Sequence, residues 1–175
     1  MWGVQKTNNK AQENRNGIVK RQLIVTYVAA LCSFLCAVGC QSVPLASMEH
    51  DASAKEFTIS PGKTKLIVFR KPGIVGQSGI WQIAINGKIA GYTAPGTFGS
   101  WELEPGDYTI SSYGSLGLGQ MAANLKVSLT HDKSHFIELR FKNEFIGGQM
   151  FMKEADQHTG QDAVRKCKLI ESIYK

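Results

Sequence analysis

Between Lys63 and Glu154 the chain is written in short apolar runs separated by turn residues. KTKLIVFR, 63–70, is apolar at four successive positions, Leu66 to Phe69, the pattern of a strand covered on both faces. IWQIAIN, 80–86, alternates instead, with Trp81, Ile83 and Ile85 on one side and Gln82 and Asn86 on the other. Asn86-Gly87 follows and predicts a tight hairpin, because both residues tolerate positive φ, with KIAGYT, 88–93, as the return strand. TFGSWELE, 97–104, places Trp101 and Leu103 on one face, and Pro105-Gly106 then turns the chain into DYTISSYG, 107–114. NLKVSL, 124–129, and HFIELRF, 135–141, alternate again, the second with Ile137, Leu139 and Phe141 opposite Glu138 and Arg140. QMFMKE, 149–154, is the last run, while GSLGLGQ, 114–120, reads as a loop and 143–148 as a turn. Seven to eight short strands with no long helical pattern between them predict an all-β fold, an antiparallel β-sandwich.

Both flanks of this region differ from it. Thr159 to Asp162 resembles a capping box, and Ala163, Val164, Cys167, Ile170 and Ile173 recur at roughly helical spacing, predicting a short amphipathic C-terminal helix over 160–173. Ahead of the strands, residues 41–62 mix small and polar side chains with Pro44 and Pro61, the composition of a flexible tether, with at most a short edge strand at Phe57–Ile59. The domain proper is therefore expected to occupy 63–175.

Further upstream lies LIVTYVAALCSFLCAVG, Leu23 to Gly39, which carries no charge and follows Lys20-Arg21. As a helix it would span roughly 25 Å, short of the ~30 Å hydrocarbon core of a bilayer. A basic stretch, a short apolar run and a small-residue end are the parts of a secretory signal. Ala37-Val38-Gly39-Cys40 resembles the bacterial lipobox, in which the cysteine is acylated and cleavage before it, here between Gly39 and Cys40, makes it the first residue. Cys32, Cys36 and Cys40 are spaced four apart, but no His, Asp or Glu lies between Leu23 and Gln41 to complete a metal site, and no C-x-x-C-H offers a haem attachment. Cys32 and Cys36 then act as small apolar residues that leave with the signal. An uncleaved anchor is the lesser alternative. The polar stretch before Lys20 is long for such a signal, and a start near Ile18 or Val19 would give a more usual one. Gln41 and Ser42 after the cysteine, rather than aspartate, point to an outer-membrane destination facing the periplasm.

The formal charge of +6 changes the picture only through its placement. Residues 1–39 hold a net +4, so the remainder is nearly balanced and offers no basic stripe for nucleic acid.

Four ordered segments carry a resemblance: KLIVFRKPGIVG, IAINGKIAGYT, FGSWELEPGDYTI and LKVSLTHDKSHFIELRF. Together they are similar to the DUF2846 family of bacterial proteins, related in style to PEGA and carboxypeptidase-regulatory-like modules. That family shows an aromatic-Arg-x-Pro opening strand, an Asn-Gly-Lys hairpin and a Pro-Gly-x-Tyr turn. This chain departs from it at Thr130 to Lys133, where the family turns with glycine. The resemblance implies a β-sandwich, often lipid-anchored, with no assigned catalytic residues.

Candidate chemistry is sparse. His131 and His135 are four apart across a turn rather than on a helix, so solvated side chains are favoured over metal ligands, and His50 and His158 lie far away in sequence. Cys167 is expected as a buried apolar contact near Val164 and Ile170. Residues 113–124 are glycine-rich but lack the Lys-Ser/Thr of a phosphate loop. Glu102 and Glu104 share a strand face and could form an acid/base pair, although charges before a turn are commonly solvated. Arg70, Trp81, Trp101 and Tyr113 are the candidate ligand or partner surface. The expectation is a lipid-anchored cell-envelope protein acting as a non-enzymatic interaction or structural module. It would need no cofactor or metal and would be held to the membrane through Cys40, with an envelope protein or cell-wall component as partner. The alternative is a small-ligand or saccharide binder.

Overall fold

The computed structural model describes residues 42–73, 79–116, 119–143 and 148–174. Gly39 and Cys40 lie outside the described residues, as does the whole segment before them. Residues Ser42–Lys175 form one compact unit. It contains nine strands, β1 (Thr64–Arg70), β2 (Trp81–Ile85), β3 (Lys88–Thr93), β4 (Thr97–Leu103), β5 (Gly106–Leu116), β6 (Gly119–Leu129), β7 (Ser134–Asn143), β8 (Gly148–Ala155) and β9 (Lys168–Leu169), and two helices, α1 (Met48–Ala54) and α2 (Gln157–Arg165), among the described residues. None of these helices is long and apolar enough to cross a membrane.

The strands make two sheets, one in the order β8-β7-β1-β4-β9 and one in the order β3-β2-β5-β6. All seven residues of β1 are buried, and the two faces are buried by different partners. Leu66 and Val68 enter a core shared with Trp81, Ile83, Ile85 and Ile110 of the other sheet. Ile67 and Phe69 turn the opposite way, into a second cluster with Phe98, Phe136, Ala163 and Val164 under α2. The mostly β character expected from alternation holds, and the doubly apolar strand is explained by a sheet on one side and a helix on the other.

Asn86 (φ 48°) and Gly87 (φ 79°) form the hairpin between β2 and β3, both in the left-handed region as a primed turn requires. Asn86 Oδ1 also accepts the Thr109 N–H at 2.8 Å, fixing the turn to β5. Pro105-Gly106 carries the chain from one sheet to the other, and Tyr108 Oη donates to the Glu104 carbonyl at 2.9 Å to brace that corner.

Four expectations are corrected. The five-stranded sheet is mixed rather than antiparallel, since β1 runs parallel to β7 and β4 parallel to β9. Alternation reports which face a residue takes but not which strand lies beside it or in which direction, so it could not show this. The loop expected at 114–120 is mostly ladder, with β5 running to Leu116 and β6 resuming at Gly119. The C-terminal helix ends at Arg165, after which the chain extends as β9 beside β4. Its cap is Asp156, whose side chain accepts the Thr159 N–H at 2.9 Å, three residues before the expected box.

The fourth correction concerns 42–62, which is packed rather than tethering. Val43 is in the shared core, and Leu45 bridges Ile170. Ser47 caps α1 by accepting the His50 N–H, and Asp51 on that helix accepts the Leu169 N–H at 2.7 Å. Phe57, where a strand was expected, has φ 56° and sets its ring edge-on to Phe136. The composition suggested a tether because the segment's few apolar residues are widely spaced, yet Val43, Leu45 and Phe57 each find a partner on the folded body.

Candidate functional site

β1 ends at Arg70 because Pro72 cannot continue the ladder. Strand β7 runs on to Asn143, so a cleft of about 370 Å³ opens beside the last residues of β1. Its walls include Arg70, Lys71, Trp81, Glu138, Arg140 and Phe141.

Arg70 points to the inner side of its sheet. Its guanidinium carbon lies 3.5 Å from the centroid of the Trp81 ring, and Nη1 donates to the carbonyls of Gly79 (2.7 Å) and Thr93 (3.2 Å). The side chain is 3% exposed, and burial pulls its pKa down to about 10. The indole that it covers lies almost on the β5 backbone. A Cβ at Gly114 would sit 2.3 Å from Trp81 Cδ1, so only glycine leaves room for the ring there. Phe141 packs beside the indole at 6.1 Å between centroids. Trp81 Nε1 is buried without a hydrogen-bond partner among the described residues.

On the other side of β1 and β7 sits Glu138, beside Phe69 in the parallel register. Its carboxylate is buried and bridged by Arg140 Nη2 at 2.8 Å and Lys71 Nζ at 3.2 Å. Burial alone would raise its pKa, but the hydrogen bonds from Arg140 and Lys71 outweigh it and hold the carboxyl below the usual range. A carboxylate so held is a weak base at neutral pH. Three cations against one anion leave the cleft with a local charge of +2. An aromatic wall inside a cationic mouth suits an anionic group attached to an apolar or planar body.

The four residues expected to form a surface therefore separate. Arg70 and Trp81 meet. Trp101 is buried elsewhere in the core, its Nε1 donating to Ser172 Oγ at 2.9 Å. Tyr113 is exposed on the outer face of the four-stranded sheet, in one cross-strand row with Gln82 and Tyr92. Lys71, Glu138 and Arg140 were not expected in a site. The one sequence signal for them was the density of charge at 138–140 opposite an apolar stripe, which reads equally as a solvated face.

The other candidates are placed apart. His131 is exposed beside Asp132, whereas His135 is buried, its Nε2 accepting the Thr130 N–H at 3.0 Å and its Nδ1 facing Glu154 at 3.1 Å. Glu104 pairs with Lys63, while Glu102 accepts the Ser60 N–H at 3.3 Å, and the Ser60 hydroxyl, more than this N–H, lowers its pKa. The two carboxylates are thus engaged separately. Cys167 is buried with Ala163 and Val164, while Ile170 belongs to the other cluster. Burial pushes its thiol up to about 11, and Sγ contacts the Arg70 carbonyl at 3.4 Å beneath the cleft.

Comparison with curated proteins finds an uncharacterized protein of Haemophilus influenzae, 27% identical over 164 residues and covering 90% of each chain. No family model matches the chain, and no solved structure matches it.

Proposed function

We propose that this protein is a lipid-anchored module of the bacterial cell envelope, non-enzymatic, that recognises another envelope component through the Arg70–Glu138 cleft. In this reading the two sheets are the layers of a β-sandwich, with α2 roofing one of them. Cleavage falls between Gly39 and Cys40, and the acylated Cys40 holds the domain at the membrane, facing the periplasm from the outer membrane. Two or three acyl chains, at about 0.8 kcal/mol per buried methylene, anchor a protein effectively for good.

The observation that carries the recognition part is the pairing of a buried carboxylate, bridged by two half-exposed cations, with an aromatic wall. Lys71 and Arg140 converge on Glu138 at 3.2 and 2.8 Å, while Trp81 and Phe141 line the same opening. For anchoring, the support is the apolar run ending in Ala37-Val38-Gly39-Cys40, just ahead of the folded unit. A second reading, binding of a small anionic ligand, is favoured by the cleft volume of about 370 Å³, which lies in the range of small-molecule sites.

Two experiments test this. Cys40→Ser should leave the leader uncleaved and the chain without acyl mass, whereas globomycin should leave the leader uncleaved with the diacylglyceryl group still on Cys40; normal processing of the Cys40→Ser variant would overturn the anchor. A photo-crosslinking residue at Lys71 in intact cells should capture an envelope protein or cell-wall fragment that the same residue at Lys126 does not. Equal capture at both positions would sink the cleft as the recognition site. A small metabolite bound at Lys71 in place of a macromolecule would decide for the second reading.

A further inference from the structure

Four large aliphatic side chains stand exposed among the described residues: Leu45 (45%), Met48 (89%), Ile89 (42%) and Ile173 (50%). Scattered exposure of this kind needs no explanation, but these four are not scattered. Leu45 bridges Ile170, with Ala46 N–H donating to the Leu169 carbonyl and Glu171 N–H to the Pro44 carbonyl, each at 3.0 Å. Three residues on, Ile173 N–H donates to the Ala90 carbonyl at 3.1 Å, next to Ile89. Met48 begins α1 directly after the bridged segment. All four therefore lie on segments of backbone stitched to one another along the β3–β9 flank. The tail that presents Ile173 is held as well by the Trp101–Ser172 hydrogen bond, so the flank is built before any partner arrives.

The length of chain that precedes this flank names its occupant. Val43 is already in the core, and only Gln41 and Ser42 separate it from Cys40. Three residue steps reach at most about 11 Å. We propose, on the reading that Cys40 is acylated, that the flank bearing Leu45, Met48, Ile89 and Ile173 seats the domain directly on the lipid bilayer. The acyl chains bring this side of the body to the interface, and the aliphatic side chains enter the headgroup–acyl boundary, as the apolar face of an interfacial helix does. The exposed charges on these segments include Glu49 and Glu171 against Lys88 and Lys168, an even balance, so the contact is apolar in nature and does not rest on anionic lipid.

The test uses the membrane-bound full chain, reconstituted in phosphatidylcholine vesicles, with an environment-sensitive fluorophore placed singly through Met48→Cys, Ile173→Cys, Lys126→Cys or Lys153→Cys. The native Cys167 is buried and stays unlabelled. Labels at 48 and 173 are expected to shift to the blue and to be quenched by bilayer-embedded spin-labelled lipid, unchanged between low and high salt. Labels at 126 and 153 should remain aqueous. Equal, aqueous behaviour at all four sites overturns the proposal, as does shielding at 48 and 173 that appears in vesicle-free detergent and grows with protein concentration, which would make a second copy the occupant. Intact mass reports acylation independently. An acylated chain with aqueous labels defeats the seat and leaves the anchor standing. With a bare thiol or a retained leader, whose own cysteines also take the fluorophore, quenching at 48 and 173 beyond that of the labelled chain without an introduced cysteine does the reverse.

Discussion

Replacing Gly160 by alanine sets helix propensity against packing. Gly160 is the fourth residue of α2, inside the helix, where glycine costs about 1 kcal/mol relative to alanine. On an open helix face the substitution would stabilise by about that much. Here a Cβ would lie 2.2 Å from Phe136 Cγ and 2.6 Å from its Cβ and Cδ1. Ordinary carbon contacts are near 3.5–4.0 Å, so helix and ring would have to separate by more than ~1 Å. The ring has little room to retreat, being 1% exposed and edge-on to Phe57 at 5.7 Å. Lifting α2 would instead loosen Ala163 and Val164 from the cluster. Overpacking of this kind costs up to about 3 kcal/mol, which outweighs the propensity gain and leaves a net loss of about 2 kcal/mol. With a typical slope for a domain of this size, the urea midpoint should fall by about 1 M. Combining Gly160→Ala with Phe136→Leu should cost less than the two changes summed, since they meet at one contact. An unchanged or higher midpoint for Gly160→Ala would refute the close seating of α2 on the mixed sheet.

Two further outcomes follow from the titrating groups. Glu138 has a depressed pKa in the folded state, so its stabilising effect is complete above the ordinary glutamate range, near pH 4.3, and fades as pH falls through the lower folded value. Glu138→Gln should therefore flatten the loss of stability between about pH 5 and 3 in urea titrations at stepped pH; an unaltered acid limb would show that Lys71 and Arg140 do not bind it in solution. Cys167, with its thiol pushed up to about 11 by burial, should resist an aromatic disulfide reagent at pH 8 in the native chain and react within seconds once unfolded. Rapid native labelling would mean that the layer under α2 opens readily.

Of the site, Arg70 and Trp81 were legible and do meet, at 3.5 Å. Trp101 and Tyr113 carried the same signal, an aromatic on a strand, and went to the core and to the outer sheet face. Residue type alone does not say which end or face of a layer a strand position will reach. Glu138 was legible only as a polar residue opposite an apolar stripe. Its burial follows from lying beside Phe69 in the parallel register and under Lys71, residues almost seventy positions earlier in the chain.

The sequence by itself determined the parts that depend on neighbours along the chain. Alternation specified the strands, Asn86-Gly87 specified a primed turn, and four consecutive apolar residues in β1 required cover on both faces. Tertiary structure alone decided what provides that cover, a second sheet on one side and α2 on the other, and that β1 and β7 run parallel. It also decided that 42–62 folds back onto the body, through Val43 in the core and Asp51 on the Leu169 N–H. The reason is that side-chain periodicity is a property of one strand, whereas pairing direction, register and docking are settled between segments far apart in sequence, by which apolar faces and backbone groups satisfy one another.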